Sequence, residues 1–198
     1  MDRTAWNERY GSTELVWSEG PNAFLPTEVA GLAPGRALDL ACGEGRNALW
    51  LAEQGWDVTG VDFSEAGVDK GRRFGDERGI TVDWQVADIT VWRPGAPFDL
   101  VVIFYLQLPA EEMATVLAMA AEAVAPGGTF LLVAHDRSNL ESGYGGPGDI
   151  SVLPTPQSVV AAINGLEVET ALVVERPVDT AEGERIALDT FVRAHRPA

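Results

Sequence analysis

The chain is poor in cysteine, in basic residues and in histidine, and each shortage excludes something. A single cysteine among 198 residues, Cys42, leaves no internal disulfide and no cysteine cluster for a metal or redox pair. Only 14 Lys and Arg stand against 30 Asp and Glu, a formal charge of −16. Such a surface repels phosphate backbones, and no basic cluster compensates, so nucleic acid is not the expected partner. No apolar run approaches the roughly 18 residues that would cross a bilayer. Met1-Asp2-Arg3-Thr4-Ala5-Trp6 lacks the basic-then-apolar character of a signal peptide. With the lone cysteine, this predicts a cytoplasmic protein without membrane attachment. The two histidines, His135 and His195, have no Cys or carboxylate companions at metal-ligand spacing, so no metal site is expected. His195 reads as an exposed tail residue, and Cys42 as an inert small residue at a packed strand end.

What is present begins at Ala37-Leu38-Asp39-Leu40-Ala41-Cys42-Gly43-Glu44-Gly45-Arg46-Asn47-Ala48. A short apolar strand runs into a glycine turn and then a helix. Gly43 and Gly45 allow a tight turn and a close approach, and the following helix aims free N–H groups at the same place. Trp56-Asp57-Val58-Thr59-Gly60-Val61 is a second apolar run, and it ends at Asp62. Together these make half of a nucleotide-binding fold. The glycines, Ala48 and Asp62 also satisfy the nicotinamide dinucleotide fingerprint, so they do not choose the cofactor. Two further acids do. Asp39 would repel a pyrophosphate and attract an ammonium group. Asp88, closing the third strand-like run Ile80 to Ala87, is an acceptor suited to an exocyclic amine.

Along the rest of the chain, Ser64 caps a helix from Glu65 to about Arg78, which Gly79 ends. Phe98 to Phe104 reads as a strand covered on both faces. Pro109 opens a helix from Glu111 to Val124, stopped by Pro126-Gly127-Gly128, and Thr129 to Ala134 forms a fifth strand. Asp136 to Pro156 reads as a structureless glycine-rich loop. Thr155 caps a helix to Ile163, and Leu166–Glu175 with Ile186–His195 give a terminal hairpin around Val178–Glu184. The expected architecture is α/β: a seven-stranded, mostly parallel sheet with helices on both faces and an antiparallel C-terminal hairpin. It forms a single domain over 1–198, with an aromatic cap segment (1–34), a cofactor-binding core (35–135), the loop (136–156) and a terminal helix and hairpin (157–198).

The ordered series Asp39-Leu-Ala-Cys-Gly-Glu-Gly45, Val61-Asp62-Phe63-Ser64, Ala87-Asp88-Ile89 and Phe98-Asp99-Leu100-Val101-Val102 resembles the motifs of class I S-adenosylmethionine-dependent methyltransferases, over nearly the whole chain. The first half is most similar to small tellurite-resistance and thiopurine (thiol) methyltransferases. The resemblance implies that S-adenosylmethionine is the cofactor. It places Asp39 under the methionine part and Gly43 and Gly45 beside the ligand. Asp62 takes the ribose hydroxyls and Asp88 the adenine amine. Ala41, Phe63, Ile89 and Phe104 complete the expected cofactor-binding set.

The implied activity is methyl transfer to a small molecule: a thiol, a selenium or tellurium compound, or a phenolic hydroxyl. Trp6, Tyr10 and Trp17 from the aromatic N-terminal segment are candidate substrate contacts. Trp6 and Tyr10 share one helical face, as a core cover or as a lid that excludes water. Tyr105, Gln107 and His135, at strand carboxyl ends, complete that set, with His135 a candidate proton acceptor. The loop after the fourth strand lacks the Asn/Asp-Pro-Pro-aromatic motif of enzymes that methylate amino groups of DNA or glutamine. Alignment of nucleophile, methyl and sulfur is the main demand on such an enzyme, so no catalytic residue is assigned. The alternatives are a non-catalytic S-adenosylmethionine-binding protein or partner subunit and, more remotely, an NAD-dependent oxidoreductase.

Overall fold

A computed structural model describes residues 3–13, 15–16 and 20–198 of the chain. The strands form one seven-stranded sheet in the order β3-β2-β1-β4-β5-β7-β6. The chain divides into two compact units, residues 1–102 and 103–198.

The first unit holds α1 (Arg3–Gly11), α2 (Leu25–Val29), β1 (Arg36–Leu40), α3 (Arg46–Glu53), β2 (Asp57–Asp62), α4 (Glu65–Arg78), β3 (Asp83–Val86) and the start of β4 (Phe98–Phe104). β1 pairs with β2 and β2 with β3, both parallel, in registers Asp39↔Gly60 and Asp62↔Val86. Leu38, Leu40, Val61, Leu51 and Val68 are fully buried between strands and helices. The expected β4 is observed residue for residue, and α4 has its predicted Ser64 N-cap, with Gly79 in the left-handed conformation as C-cap. β3 is shorter than expected, because only Asp83–Val86 find partners on β2.

Glycines decide how closely α4 approaches the strands. Gly67, Gly71 and Gly75 recur every fourth residue on one face. A Cβ on Gly67 would lie 3.0 Å from the Gly43 carbonyl, one on Gly71 2.7 Å from the Trp84 ring, and one on Gly75 2.9 Å from the Ile80 carbonyl. The Trp84 ring also fills the side-chain space of Gly45 and Gly60. One indole thus occupies volume that three glycines leave open, which the strand's own alternation does not announce.

The second unit continues with α5 (Ala110–Ala123), β5 (Val124–His135), α6 (Asn139–Ser142), α7 (Pro156–Ala162), β6 (Glu167–Thr180) and β7 (Gly183–His195). β5 pairs antiparallel with β7, and β7 with β6. Phe130, Leu131, Leu132, Leu117 and Ile163 form its buried core. Thr155 caps α7 through a reciprocal box with Ser158.

Three expectations need correction here. β5 begins at Val124, not Thr129, because Gly127 and Gly128 exchange backbone hydrogen bonds with Arg196. The terminal hairpin is longer than read, its strands meeting across Ala181–Glu182. His195 is no free tail residue: it ends β7, with Nδ1 2.9 Å from Glu169 Oε1. Arg196 then donates to the Val124 and Ala121 carbonyls at 2.7 Å, capping the end of α5.

Nor is the 136–156 segment structureless. It contains α6 and a 3₁₀ turn at Ile150–Val152, and it is tied to β7. Asn139 Oδ1 accepts the Leu188 N–H at 2.7 Å, and the Thr190 hydroxyl donates to Asp136 Oδ2 at 2.6 Å. Polar side chains supply this order, so apolar periodicity does not reveal it.

Gly75→Ala is expected to lower stability by up to about 2 kcal/mol. Crowding of a backbone carbonyl costs about 1–3 kcal/mol and outweighs the roughly 1 kcal/mol gain in helix propensity. Gly11→Ala, at the end of α1 with open space around it, is expected to stabilise by up to about 1 kcal/mol. Urea denaturation of both variants checks the contrast.

Candidate cofactor-binding site

The ends of β1 and β2 meet through one carboxylate. Asp62 accepts the Gly43 N–H on Oδ2 and the Ser64 N–H on Oδ1, each at 2.8 Å. The backbone follows the same path: the Cys42 N–H bonds the Val61 carbonyl and the Ala87 N–H bonds the Asp62 carbonyl. Ala41, Gly43 and Gly45 all have positive φ (59°, 56° and 80°), which turns the chain sharply between β1 and α3. Burial raises the Asp62 pKa despite the N–H donors of Ser64, Gly43 and Phe63.

Asp39 points to a ligand. It is 1 % exposed, and its Oδ2 has no hydrogen-bond partner. Burial first, and then the charge of Asp62, push its pKa from 3.8 to about 7, against the smaller opposing effects of Arg46 and the Ala48 N–H. A buried carboxylate oxygen left unpaired carries a desolvation cost of about 1–3 kcal/mol or more, and an ammonium group would satisfy it. The same burial and acids push the Cys42 thiol well above its ordinary range, consistent with an inert residue.

The glycine turn is covered from within. The Tyr10 hydroxyl occupies the position of a Cβ on Gly43, and the Trp84 ring that of a Cβ on Gly45. Tyr10 is 5 % exposed and stacks on Trp6 with ring centroids 5.5 Å apart. Of these two expected substrate contacts, Tyr10 packs on the turn itself and Trp6 stacks on Tyr10. Trp17 lies outside the described residues.

Four polar side chains that sequence reasoning passed over fasten the N-terminal segment in place. Asn7 Oδ1 accepts the Ser64 hydroxyl at 2.7 Å, and Lys70 Nζ donates to the Thr13 carbonyl at 2.6 Å. Glu44, 2 % exposed, accepts the Val16 N–H at 2.9 Å and sits 3.3 Å from Lys70 Nζ. Asn47 Oδ1 accepts the Asn22 N–H at 2.8 Å. Glu44 and Asn47 sit inside the glycine motif, which was the only available signal.

At the end of β3, Asp88 is exposed and Ile89 buried. Asp88 Oδ1 accepts the Thr90 hydroxyl and N–H at 2.7 and 3.0 Å, and chiefly for that reason its pKa is lowered. Phe63, half-buried, carries the Arg3 guanidinium 5.9 Å above its ring.

The remaining expected site residues lie in the second unit. Phe104 ends β4 and is buried, while Tyr105 and Gln107 follow it half-buried. Tyr105 has φ +56°, rare for a residue with a side chain. Its hydroxyl donates to Asp189 Oδ2 at 2.8 Å, and its ring lies 4.9 Å from that of His135. Arg176 Nε donates to the same Oδ2 at 2.6 Å. Asp189 is fully buried. Burial works to raise its pKa, but bonds from His135, Arg176 and Tyr105 prevail and hold it below the usual range. Sequence reasoning missed Asp189 and Arg176. An acid inside the apolar run Ala187-Leu188-Asp189-Thr190-Phe191 was the signal.

Residues 37–128 match the family model described as a methyltransferase domain. Taken with the strand order, this defines a class I S-adenosylmethionine-dependent methyltransferase fold. Among relatives, the ubiquinone biosynthesis O-methyltransferase of Maricaulis maris (strain MCS10) is 32 % identical over 106 residues, covering 52 % of this chain and 42 % of that protein. The protein of the same name from Methylobacterium sp. (strain 4-46) is 29 % identical over 198 residues, covering 90 % and 78 %. The crystal structure of TehB from Haemophilus influenzae superposes with a TM-score of 0.76 at 20 % identity, covering 96 % of this chain and 67 % of that one. The chain spans about half the length of several curated relatives it matches. That match takes in the glycine turn and the acids 39, 62 and 88; two further solved structures with this fold hold S-adenosylhomocysteine. Among the described residues, no helix is long and apolar enough to cross a membrane.

A carboxylate whose folded pKa is raised stabilises the fold fully only below its unfolded value. That contribution is lost as pH rises toward the folded value, here between about 4 and about 7 for Asp39. Asp39→Asn removes this loss. The ligand-free variant should therefore melt higher than the wild type at pH 8, by an amount on the order of a few kcal/mol. The difference should shrink toward pH 4. Calorimetric melting of both proteins across that range checks it.

Proposed function

We propose that the protein transfers the methyl group of S-adenosylmethionine to a small-molecule acceptor, with a hydroxyl oxygen as the accepting atom. The unpaired, buried Asp39 Oδ2 beside the glycine turn carries the cofactor part of this reading. It suits an ammonium group, and a dinucleotide pyrophosphate would meet repulsion there. The acceptor part is supported by the two relatives named as O-methyltransferases and by the acidic charge of the chain, which disfavours nucleic acid.

In this reading Asp39 accepts from the ammonium end of the cofactor. Asp62 takes the ribose hydroxyls on lone pairs left after the Gly43 and Ser64 N–H groups, and Asp88 takes the adenine amine. Ala41, Gly43, Gly45, Phe63, Ile89 and Phe104 complete the binding surface. Bound S-adenosylmethionine supplies an activated methyl carbon. The enzyme's task is then to orient the acceptor and exclude water. The fastened cap residues Trp6 and Tyr10 serve that exclusion, and Tyr105, Gln107 and His135 contact the acceptor.

Titration calorimetry with S-adenosylmethionine, S-adenosylhomocysteine and NAD in parallel tests the cofactor. The first two should bind and NAD should not; binding of NAD alone overturns the reading. Asp39→Asn should weaken S-adenosylmethionine by about 10- to 100-fold, the worth of one hydrogen bond to a charged group. Asp62→Asn should weaken it and also lower the melting temperature, because an amide nitrogen cannot accept the N–H it then faces.

A further inference from the structure

Two buried acids stand near the carboxyl ends of β1 and β2, and their surroundings differ. Asp62 closes β2, and each of its oxygens accepts a backbone N–H at 2.8 Å, from Gly43 and from Ser64. Asp39, in register with Gly60 of β2, is 1 % exposed, and its Oδ2 has no hydrogen-bond partner among the described residues. N–H donors favour the charged form of a carboxylate, and burial without them favours the neutral form. Two buried acids that feel each other's charge do not both ionise readily, and the charge settles where the donors are. Asp62 therefore keeps the charge and Asp39 the proton. The direction agrees: burial first, and then the charge of Asp62, carry the Asp39 pKa up to about 7.

The other charged groups around Asp39 leave this difference in place. From α3, the Arg46 guanidinium and the Ala48 N–H favour its charged form, but burial prevails. Cys42, on the turn after β1, keeps its thiol proton because of burial and the same two acids. Glu44, on that turn, is matched by Lys70 of α4 at 3.3 Å. Asp57, Glu53 and Asp99 stand at the far ends of β2, α3 and β4, where Asp99 accepts the Arg36 N–H at the start of β1.

We propose that the ligand-free site holds a proton on Asp39, and that the cofactor's ammonium group displaces it on binding, so that pH controls occupancy of the site. This rests on the S-adenosylmethionine reading and adds a regulation to it. The Asp39 O–H bond breaks, its proton passes to solvent, and an ammonium N–H donates to the oxygen left behind. A neutral carboxyl is thus exchanged for a neutral ion pair, and no net charge is added beside Asp62. Below the folded pKa of Asp39, removing the proton weakens binding by about tenfold per pH unit; above it, the carboxylate is already ionised and affinity is level. S-adenosylhomocysteine carries the same ammonium group. Acid therefore empties the site of spent and fresh cofactor alike.

Titration calorimetry with S-adenosylhomocysteine at pH 6 and pH 8, each in buffers of different ionisation enthalpy, counts the protons. Wild type should release about one proton per ligand at pH 6 and close to none at pH 8, with affinity about 10-fold weaker at pH 6. Asp39→Asn should bind without proton release and equally at both pH values. A wild-type heat at pH 6 that does not depend on the buffer overturns the proposal. So does a release that survives in Asp39→Asn, because the proton then belongs to another group. Absence of binding at pH 8 defeats the cofactor reading and the exchange with it, and a titration without ligand tells the two failures apart. In ¹³C spectra of the ligand-free protein, with Asp39→Asn identifying the resonance, Asp39 should ionise near pH 7. A carboxyl already ionised at pH 5 overturns the proposal whatever binds.

Discussion

The Asp62 carboxylate is the constraint on which the first unit turns. One oxygen holds the Gly43 N–H and the other the Ser64 N–H, so a single side chain joins the end of β1 to the start of α4. Burying a carboxylate is costly, and its raised pKa shows that the two bonds offset the cost only in part. Asp39 lies close enough for its pKa to be raised further by the charge of Asp62. Two buried acids with one oxygen unpaired leave the ligand-free site short of positive charge. That shortage is what a cationic cofactor would relieve.

Around this clamp the glycines serve packing as much as ligand approach. Tyr10 fills the space beside Gly43 and Trp84 the space beside Gly45. The described residues of the N-terminal segment are correspondingly tied to it. Ser64, Lys70, Glu44 and Asn47 hold Asn7, Thr13, Val16 and Asn22 of that segment in turn, two of them from within the glycine motif. Buried side-chain-to-backbone bonds of this kind lose about 1–3 kcal/mol when one partner is removed. The cap and the turn are therefore one structure.

The second unit repeats the theme with different chemistry. Asp189 is wholly buried, yet Arg176, Tyr105 and His135 keep its pKa below the usual range. The strained backbone of Tyr105 belongs to this arrangement, since its hydroxyl is one of the two groups that donate to the carboxylate. Strain of this sort persists where surrounding contacts over-determine it.

Local chemistry made much of this legible in the sequence. β4, the Ser64 and Thr155 caps, the glycine turn and the acids 39, 62 and 88 follow from apolar runs, capping residues and motif spacing, all set by neighbours in the chain. The residues that tie distant segments together were not legible: Glu44 with Val16, Asn139 with Leu188, Trp84 among Gly45, Gly60 and Gly71, and Asp189 with Arg176, Tyr105 and His135. Their partners are 13 to 84 positions away in the chain, and a polar side chain carries no periodicity that names a distant partner. The sequence by itself determined β4, the caps of α4 and α7 and the glycine turn, because those depend on short-range sterics and burial. Only the tertiary structure decided which polar groups are buried together, because that pairing exists only once the chain has closed on itself.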